Sequence, residues 1–381
     1  MTSPTGAPAP FPVPFSVLDL VPVGSGVTPG EAIRHSLMLA RRAEELGFTR
    51  YWLAEHHGMP GIASSATALL IGQVAGATST IRVGSGGVML PNHAPLVIAE
   101  QFGTLGAMFP GRIDLGLGRA PGTDQSTARA LRRIAGPLLT EDDFPDQLAE
   151  LTTFLAGAEF PKGHRLHGVS AIPQAEMPPI WLLGSSGYSA QAAGLLSLPF
   201  SFAHHFSSQN TLPALDLYRR SWRAAPGPHL AAEVIGPHLA AGVIGRERPY
   251  AMVAAAVLVA DTDEQAEWLA GPIRLTLMRL RTGRPAAYPT PEEAAAYPWT
   301  AQELAIAQAG TSSHIVGSPE TVRAGLRQLL DATRADELMV TTMVHAHTDR
   351  VHSYELLADL ARGLTRPAPA DVPAAQGASA S

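Results

Sequence analysis

Short apolar runs alternate with longer amphipathic stretches along nearly the whole chain of 381 residues. The apolar runs are strand-sized and fall at residues 15–20, 51–54, 81–85, 112–117, 179–183, 200–203, 252–259 and 337–342. Between them, apolar residues recur at helical spacing. Thr28-Pro29-Gly30-Glu31 reads as a capping box with proline at the first helical position. Ile33, Leu37, Ala40, Ala43 and Leu46 then share one face, and Gly47 ends the helix. Further helices are expected near residues 65–77, 95–108, 141–155, 190–196, 212–224, 261–280, from Ser318 onward, and at 352–363. Eight strands, each followed by a helix, predict a closed (β/α)8 TIM barrel over an open doubly wound sheet. Such a barrel assembles its site from several loops at the C-terminal strand ends.

Residues 86–122 form the most chemically loaded unit: the end of a strand, a helix, a Pro110-Gly111 stop, a second strand and a glycine-rich loop. Pro95 opens the helix, whose Leu96, Ile98, Phe102, Leu105 and Met108 fall mainly on one side. Gly116, Gly118 and Gly122 permit close backbone approach, and Arg119 adds a cation. That combination predicts an anion or cofactor site. Two regions exceed a minimal barrel. Pro228–Gly236 and Pro237–Gly245 are a near-exact tandem duplication, expected on a surface loop. Residues 282–317 form a Pro/Ala-rich insertion that reads as a lid, a substrate wall or an inert excursion. The barrel is expected over 14–363, with flexible tails at 1–13 and 366–381.

Composition narrows the class. Hydrophobic residues make up 46% and charged residues 16%, enough for a sizeable core, and the net charge of −6 argues against nucleic acid. The absence of cysteine excludes disulfides, thiolate nucleophiles and cysteine-bound metals. No signal-peptide pattern or bilayer-length apolar run is read, so a cytoplasmic protein with no membrane partner is expected.

Candidate polar groups cluster after the strands: Glu55-His56-His57, Gly84-Ser85, Gly118-Arg119, the turn Gly184-Ser185-Ser186-Gly187-Tyr188-Ser189, His204-His205 and His345/His347. Adjacent histidines on a strand face opposite ways, so His56 and His57 are not expected to share a ligand. A packed or hydrogen-bonded histidine pair is as good a reading as an acid–base pair. No metal is expected, since HExxH is missing and the one HxH follows the last strand. The 116–122 loop has the wrong glycine spacing for a dinucleotide fingerprint. The serine-rich turn could bind phosphate at a helix N-terminus or merely cap the helix. Proximity to Arg119 would favour phosphate.

Trp52-Leu-Ala-Glu-His-His57, Gly87-Val-Met-Leu-Pro-Asn-His93, residues 111–122, Trp181-Leu-Leu-Gly-Ser-Ser186 and Phe202-Ala-His-His-Phe206 stand out as a set. Together they resemble the bacterial luciferase-like monooxygenases, nearer the FMN-dependent branch than light-emitting luciferase. The resemblance covers about residues 14–363 and implies a (β/α)8 barrel. It also implies a monooxygenase in which reduced FMN reacts with O2 through a C4a-peroxyflavin to oxidise a small organic substrate. By the same resemblance, His56 is the catalytic acid/base. Gly86 and Gly87 form a non-prolyl cis peptide under the flavin, Arg119 pairs with the FMN phosphate, and Ser185, Ser186 and Ser189 form the phosphate turn. The reactive cysteine of true luciferases corresponds to Gly118, so neither light emission nor long-chain aldehyde specificity is expected. Electrons would come from a separate flavin reductase or from reduction in place. Pairing through the helices near 65–77 and 99–107 implies a homodimer. The alternatives are an F420-dependent hydride-transfer oxidoreductase, a non-catalytic flavin-binding protein and, more remotely, a metal-dependent barrel hydrolase.

Overall fold

The computed structural model describes residues 10–120, 125–131, 143–223 and 247–366. The strands β1 (Phe15–Asp19), β2 (Arg50–Leu53), β3 (Arg82–Ser85), β5 (Ile113–Gly118), β6 (Ile180–Gly184), β7 (Phe200–Ala203), β8 (Ala251–Val259) and β10 (Glu337–Thr341) pair in that order, all parallel. β10 then pairs with both β8 (Met339 opposite Ala254) and β1 (Ser16 opposite Met339), which closes the cylinder. This is the predicted (β/α)8 barrel. Two short strands were not expected: β4 (Val88–Met89) extends along β5, and β9 (Ile315–Gly317) along β8.

Alternation along each strand divides the core in two. Leu18, Trp52, Trp181, Met252, Ala254 and Met339 pack inside the barrel. Val17, Tyr51, Val83, Leu115, Leu182, Val253 and Val340 face outward and join the larger core beneath the helices. Trp52 and Trp181 meet edge to face, with centroids 5.2 Å apart. Their bulk is accommodated by a glycine: a Cβ on Gly84 would stand 2.9 Å from Trp52 Nε1 and 2.7 Å from Asp114 Cβ.

The N-terminal strand ends form an ion-paired floor. Buried Arg50 binds Asp114 at 2.7 Å and Glu337 at 3.0 Å, and Arg82 binds the other Asp114 oxygen at 2.6 Å. Tyr250 donates to Glu337 at 2.8 Å, and Ser16 also donates to that carboxylate. Burial alone would weaken the Arg50 cation, but the two carboxylates outweigh it and raise its pKa.

Outside the barrel, α1 (Pro29–Leu46) has the predicted capping box, with Gly47 in the left-handed region at φ 93°. The helices α2 (Thr67–Ala77), α3 (Pro95–Met108), α4 (Gln125–Leu131), α5 (Phe144–Leu155), α6 (Gly187–Leu195), α7 (His204–Ser207) and α8 (Thr211–Ser221) follow. The chain continues with the helices Asp263–Arg281, Pro291–Ala295, Ala301–Thr311, Pro319–Thr333 and His347–Ala361. The insertion is therefore structured, with two helices and β9. It is stitched to the loop after β1: Tyr288 N donates to Val23 O at 2.9 Å and Ser25 N to Tyr288 O at 2.7 Å.

The N-terminal tail is shorter than expected. Phe11 and Val13 are buried, and the Phe11 ring sits edge-on against Phe15 and Phe48, with the Arg362 guanidinium 5.6 Å from its centroid. At the other end Arg366 still bonds Asp336. The remainder of both expected tails and the 228–245 duplication lie outside the described residues.

Candidate functional site

Five strand ends converge at the C-terminal mouth. After β2 the chain runs through Glu55, His56 and His57. Glu55 is 1% exposed and gathers four donors: His93 Nε2 at 2.8 Å, His57 Nε2 at 2.9 Å, Met89 N at 3.0 Å and Asn92 Nδ2 at 3.4 Å. Burial alone would raise its pKa. The donors, His93 foremost, outweigh burial and hold it below the usual carboxylate range. Glu55 thus ties the end of β2 to β4. The two histidines part as expected, His57 turning to Glu55 while His56 lines the mouth cavity.

The Gly86–Gly87 peptide is cis, as the resemblance implied. Side chains are not admitted here. A Cβ on Gly86 would reach within 2.5 Å of Leu18 Cδ1, and one on Gly87 within 2.8 Å of the Gly116 carbonyl oxygen. At the end of β5, Gly118 packs against Met89, whose sulfur a Cβ would approach to 2.7 Å. Arg119 follows, and its guanidinium lies 4.1 Å over the Tyr188 ring. Tyr188 lies in the first turn of α6, directly after Ser185 and Ser186, so Arg119 and the serine turn meet in space although they are distant in sequence.

Ser186 occupies the N-cap of α6 in extended conformation, yet its hydroxyl makes no capping bond. The capping alternative therefore does not account for it. Ser189 is 7% exposed and folds over the end of β6, where a Cβ on Gly184 would come within 2.7 Å of its Oγ. Ser207 donates to the Ser185 carbonyl at 3.0 Å and fixes the turn from α7. His56, Gly86, Gly87, Arg119, Ser185, Ser186 and Ser189 all line one cavity of ≈ 290 Å³. Its other walls include Leu18, Met89, Leu183 and Met339.

A second cavity of ≈ 310 Å³ adjoins the first and shares Leu20, His56, His205 and Phe206 with it. In the sequence His205 is only one of several histidines at the mouth. Its Nδ1 bonds the Ala254 carbonyl at 3.1 Å. Burial pushes its pKa down to about 4, and does the same to the neighbouring His314. His345 and His347 stand apart from both cavities: His345 Nε2 bonds the Ser25 carbonyl, and His347 stacks on His35 at 4.4 Å. Among the described residues no group of three or more His, Cys, Asp or Glu could hold a metal ion. Nor is any described helix long and apolar enough to cross a membrane.

Residues 13–337 match the family model for luciferase-like monooxygenases. A luciferase-like monooxygenase of Escherichia coli (strain K12) is 46% identical, covering 91% of this chain and 97% of its own. An N-acetyl-S-alkylcysteine monooxygenase of Bacillus subtilis (strain 168) is 34% identical over 91% of this chain and 97% of its own. The crystal structure of apo-MsnO8 superposes with a TM-score of 0.78 at 36% identity, covering 93% of this chain and all of that one. At fold level, two cofactor complexes align with TM-scores of 0.65. One is the oxygenating constituent of 3,6-diketocamphane monooxygenase from Pseudomonas putida with FMN (18% identical, covering 93% of this chain and 99% of that one). The other is a secondary alcohol dehydrogenase with an F420–acetone adduct (14% identical, covering 92% of this chain and 99% of that one). With its closed parallel barrel and a family match across most of its length, this chain belongs to the luciferase-like monooxygenases.

Proposed function

We propose that this protein is a flavin-dependent monooxygenase that uses reduced FMN and O2 to oxidise a small organic substrate. The observation that carries the reading is the meeting of Arg119 with the Ser185–Ser189 turn in a cavity whose floor is the side-chain-free Gly86–Gly87 segment. These residues fit the group. A phosphate suits a guanidinium, free hydroxyls and the N-terminus of α6. A flat ring suits a ledge of two glycines, where backbone can approach it closely. Bound FMN would supply the electron pair that activates O2. Arg119, Ser185, Ser186 and Ser189 hold the phosphate end. Leu18, Met89, Leu183 and Met339 exclude water from the ring end. His56, at the boundary with the second cavity, holds or moves a proton at its imidazole. The B. subtilis N-acetyl-S-alkylcysteine monooxygenase supports oxygen transfer to a small molecule as the reaction class.

An F420-dependent oxidoreductase is the second reading, favoured by the fold-level alignment with the F420 enzyme, and would use the same phosphate-bearing end. Absorbance and mass of the bound cofactor, then aerobic and anaerobic turnover of the reduced protein, decide between them. FMN with an O2-dependent product is expected. F420, or a product formed equally well without O2, would refute the reading. Two copies would pair through α2 and α3, where Leu69 is 73% and Met108 62% exposed.

A further inference from the structure

The second cavity carries information about substrate class. It lies at the small end of the ~300–1,000 Å³ range of small-molecule sites. Its body is aliphatic and aromatic: Ile62, Leu258, Ile273, Leu277, Tyr288 and Val316 are among its walls. Tyr288 cannot swing away, because its hydroxyl donates to Met343 O at 2.7 Å and its backbone is stitched to Val23 and Ser25. A Cβ on Gly61 would meet the Ala286 carbonyl at 2.9 Å, so the turn at Met59–Ile62 is wedged against the insertion. The insertion is therefore a fixed wall of this chamber rather than a lid.

Charge is missing from the interior of the chamber. Among the described residues that line it, the one permanently charged side chain is Arg281, exposed at the end of its helix. His205 and His314 are held neutral by burial. Because the Ala254 carbonyl can only accept, His205 Nδ1 carries the proton and Nε2 is an acceptor. Thr341 Oγ1, on a residue 6% exposed, has no hydrogen-bond partner. A buried hydroxyl left unpaired is unfavourable, and a ligand that pairs it removes that cost.

We propose that this chamber binds the substrate as an uncharged, predominantly aliphatic molecule with one hydrogen-bonding oxygen that meets the Thr341 hydroxyl, its reacting end at the His56–His205 boundary. The inference rests on the monooxygenase reading for the meaning of that boundary, but its binding test does not need turnover.

The test is calorimetric titration of the full-length protein at neutral pH with methyl octanoate and with octanoate. These share a chain and differ in charge. The ester is expected to bind at least about tenfold more tightly, since burying a carboxylate without a partner costs more than the ~1.4 kcal/mol this factor represents. Ile273→Trp should fill the chamber and weaken ester binding by about tenfold or more, as a blocked apolar pocket does. Leu277→Phe serves if that variant fails to fold. Thr341→Val keeps the side-chain shape and should weaken the ester roughly fivefold, the size of one neutral hydrogen bond, while leaving octane unaffected. Octanoate binding as tightly as its ester, or an ester indifferent to both chamber variants and to Thr341→Val, would overturn the proposal. FMN titrated in parallel separates the two ideas. Loss of FMN binding with the ester pattern intact would sink the flavin reading alone, and the reverse result would sink only the chamber.

Discussion

At the N-terminal end of the barrel, Arg50 is held between Asp114 and Glu337, Arg82 joins Asp114, and Tyr250 and Ser16 complete Glu337. The two cavities at the C-terminal end are lined instead by neutral histidines, by a hydroxyl without a partner and by a serine turn whose Ser185 carbonyl accepts from Ser207. The floor closes charge on charge within the protein. The mouth keeps hydrogen-bonding capacity unspent beside two cavities. A buried carboxylate is thus not in itself a sign of catalysis here. Glu55, at the mouth, is saturated like the floor carboxylates and serves to position β4. What distinguishes the second cavity from the floor is the buried Thr341 hydroxyl, which the protein does not satisfy itself.

That contrast can be broken experimentally. Arg50→Ala removes the cation shared by two buried carboxylates, and should cost about 3–5 kcal/mol in urea unfolding. The folded fraction should keep its FMN affinity; a comparable loss of cofactor affinity would mean that floor and mouth are coupled. His56→Ala should lower turnover about 100-fold or more while FMN titration and melting temperature change little. Unchanged turnover would remove the proton-handling role. Arg119→Ala should weaken FMN by roughly 10- to 100-fold, the range for a hydrogen bond to a charged group, and leave riboflavin unaffected. Equal weakening of both would detach Arg119 from the phosphate. The last effect is spread along the pH axis. His205 and His314 titrate near 4 when folded, against 6.5 in a free side chain. Between those values the unfolded chain takes up protons that the native chain refuses. Stability is therefore full above 6.5 and falls as the pH drops toward 4, by up to about 1.4 kcal/mol per pH unit for each histidine. His314→Asn should flatten that slope in denaturation curves; an unaltered slope would show that His314 is not held neutral.

The eight staves were legible because each is an apolar run bounded by turn residues and followed by a helical pattern. β4 and β9 were not, since strands of two and three residues have no periodicity to read. The insertion escaped for a different reason. What fixes it is backbone bonding from Tyr288 to Val23 and Ser25, which no side-chain pattern announces. The cofactor-side residues were found through glycines, Arg119 and the serine turn, whose chemistry is visible residue by residue. The adjoining chamber was not, because its lining is ordinary aliphatic sequence and Thr341 is unusual only by lacking a partner. Phe11 was hidden by its Pro/Ala-rich neighbours, although one aromatic is enough to anchor a short segment.

That anchor has a practical corollary. Phe11 touches the start of β1, the residue after the turn closing α1, and Arg362 near the far end of the chain, so it clasps first and last elements together. A shortened version beginning at residue 14 would leave the seam between the opening strand and the closing helix unbuttoned.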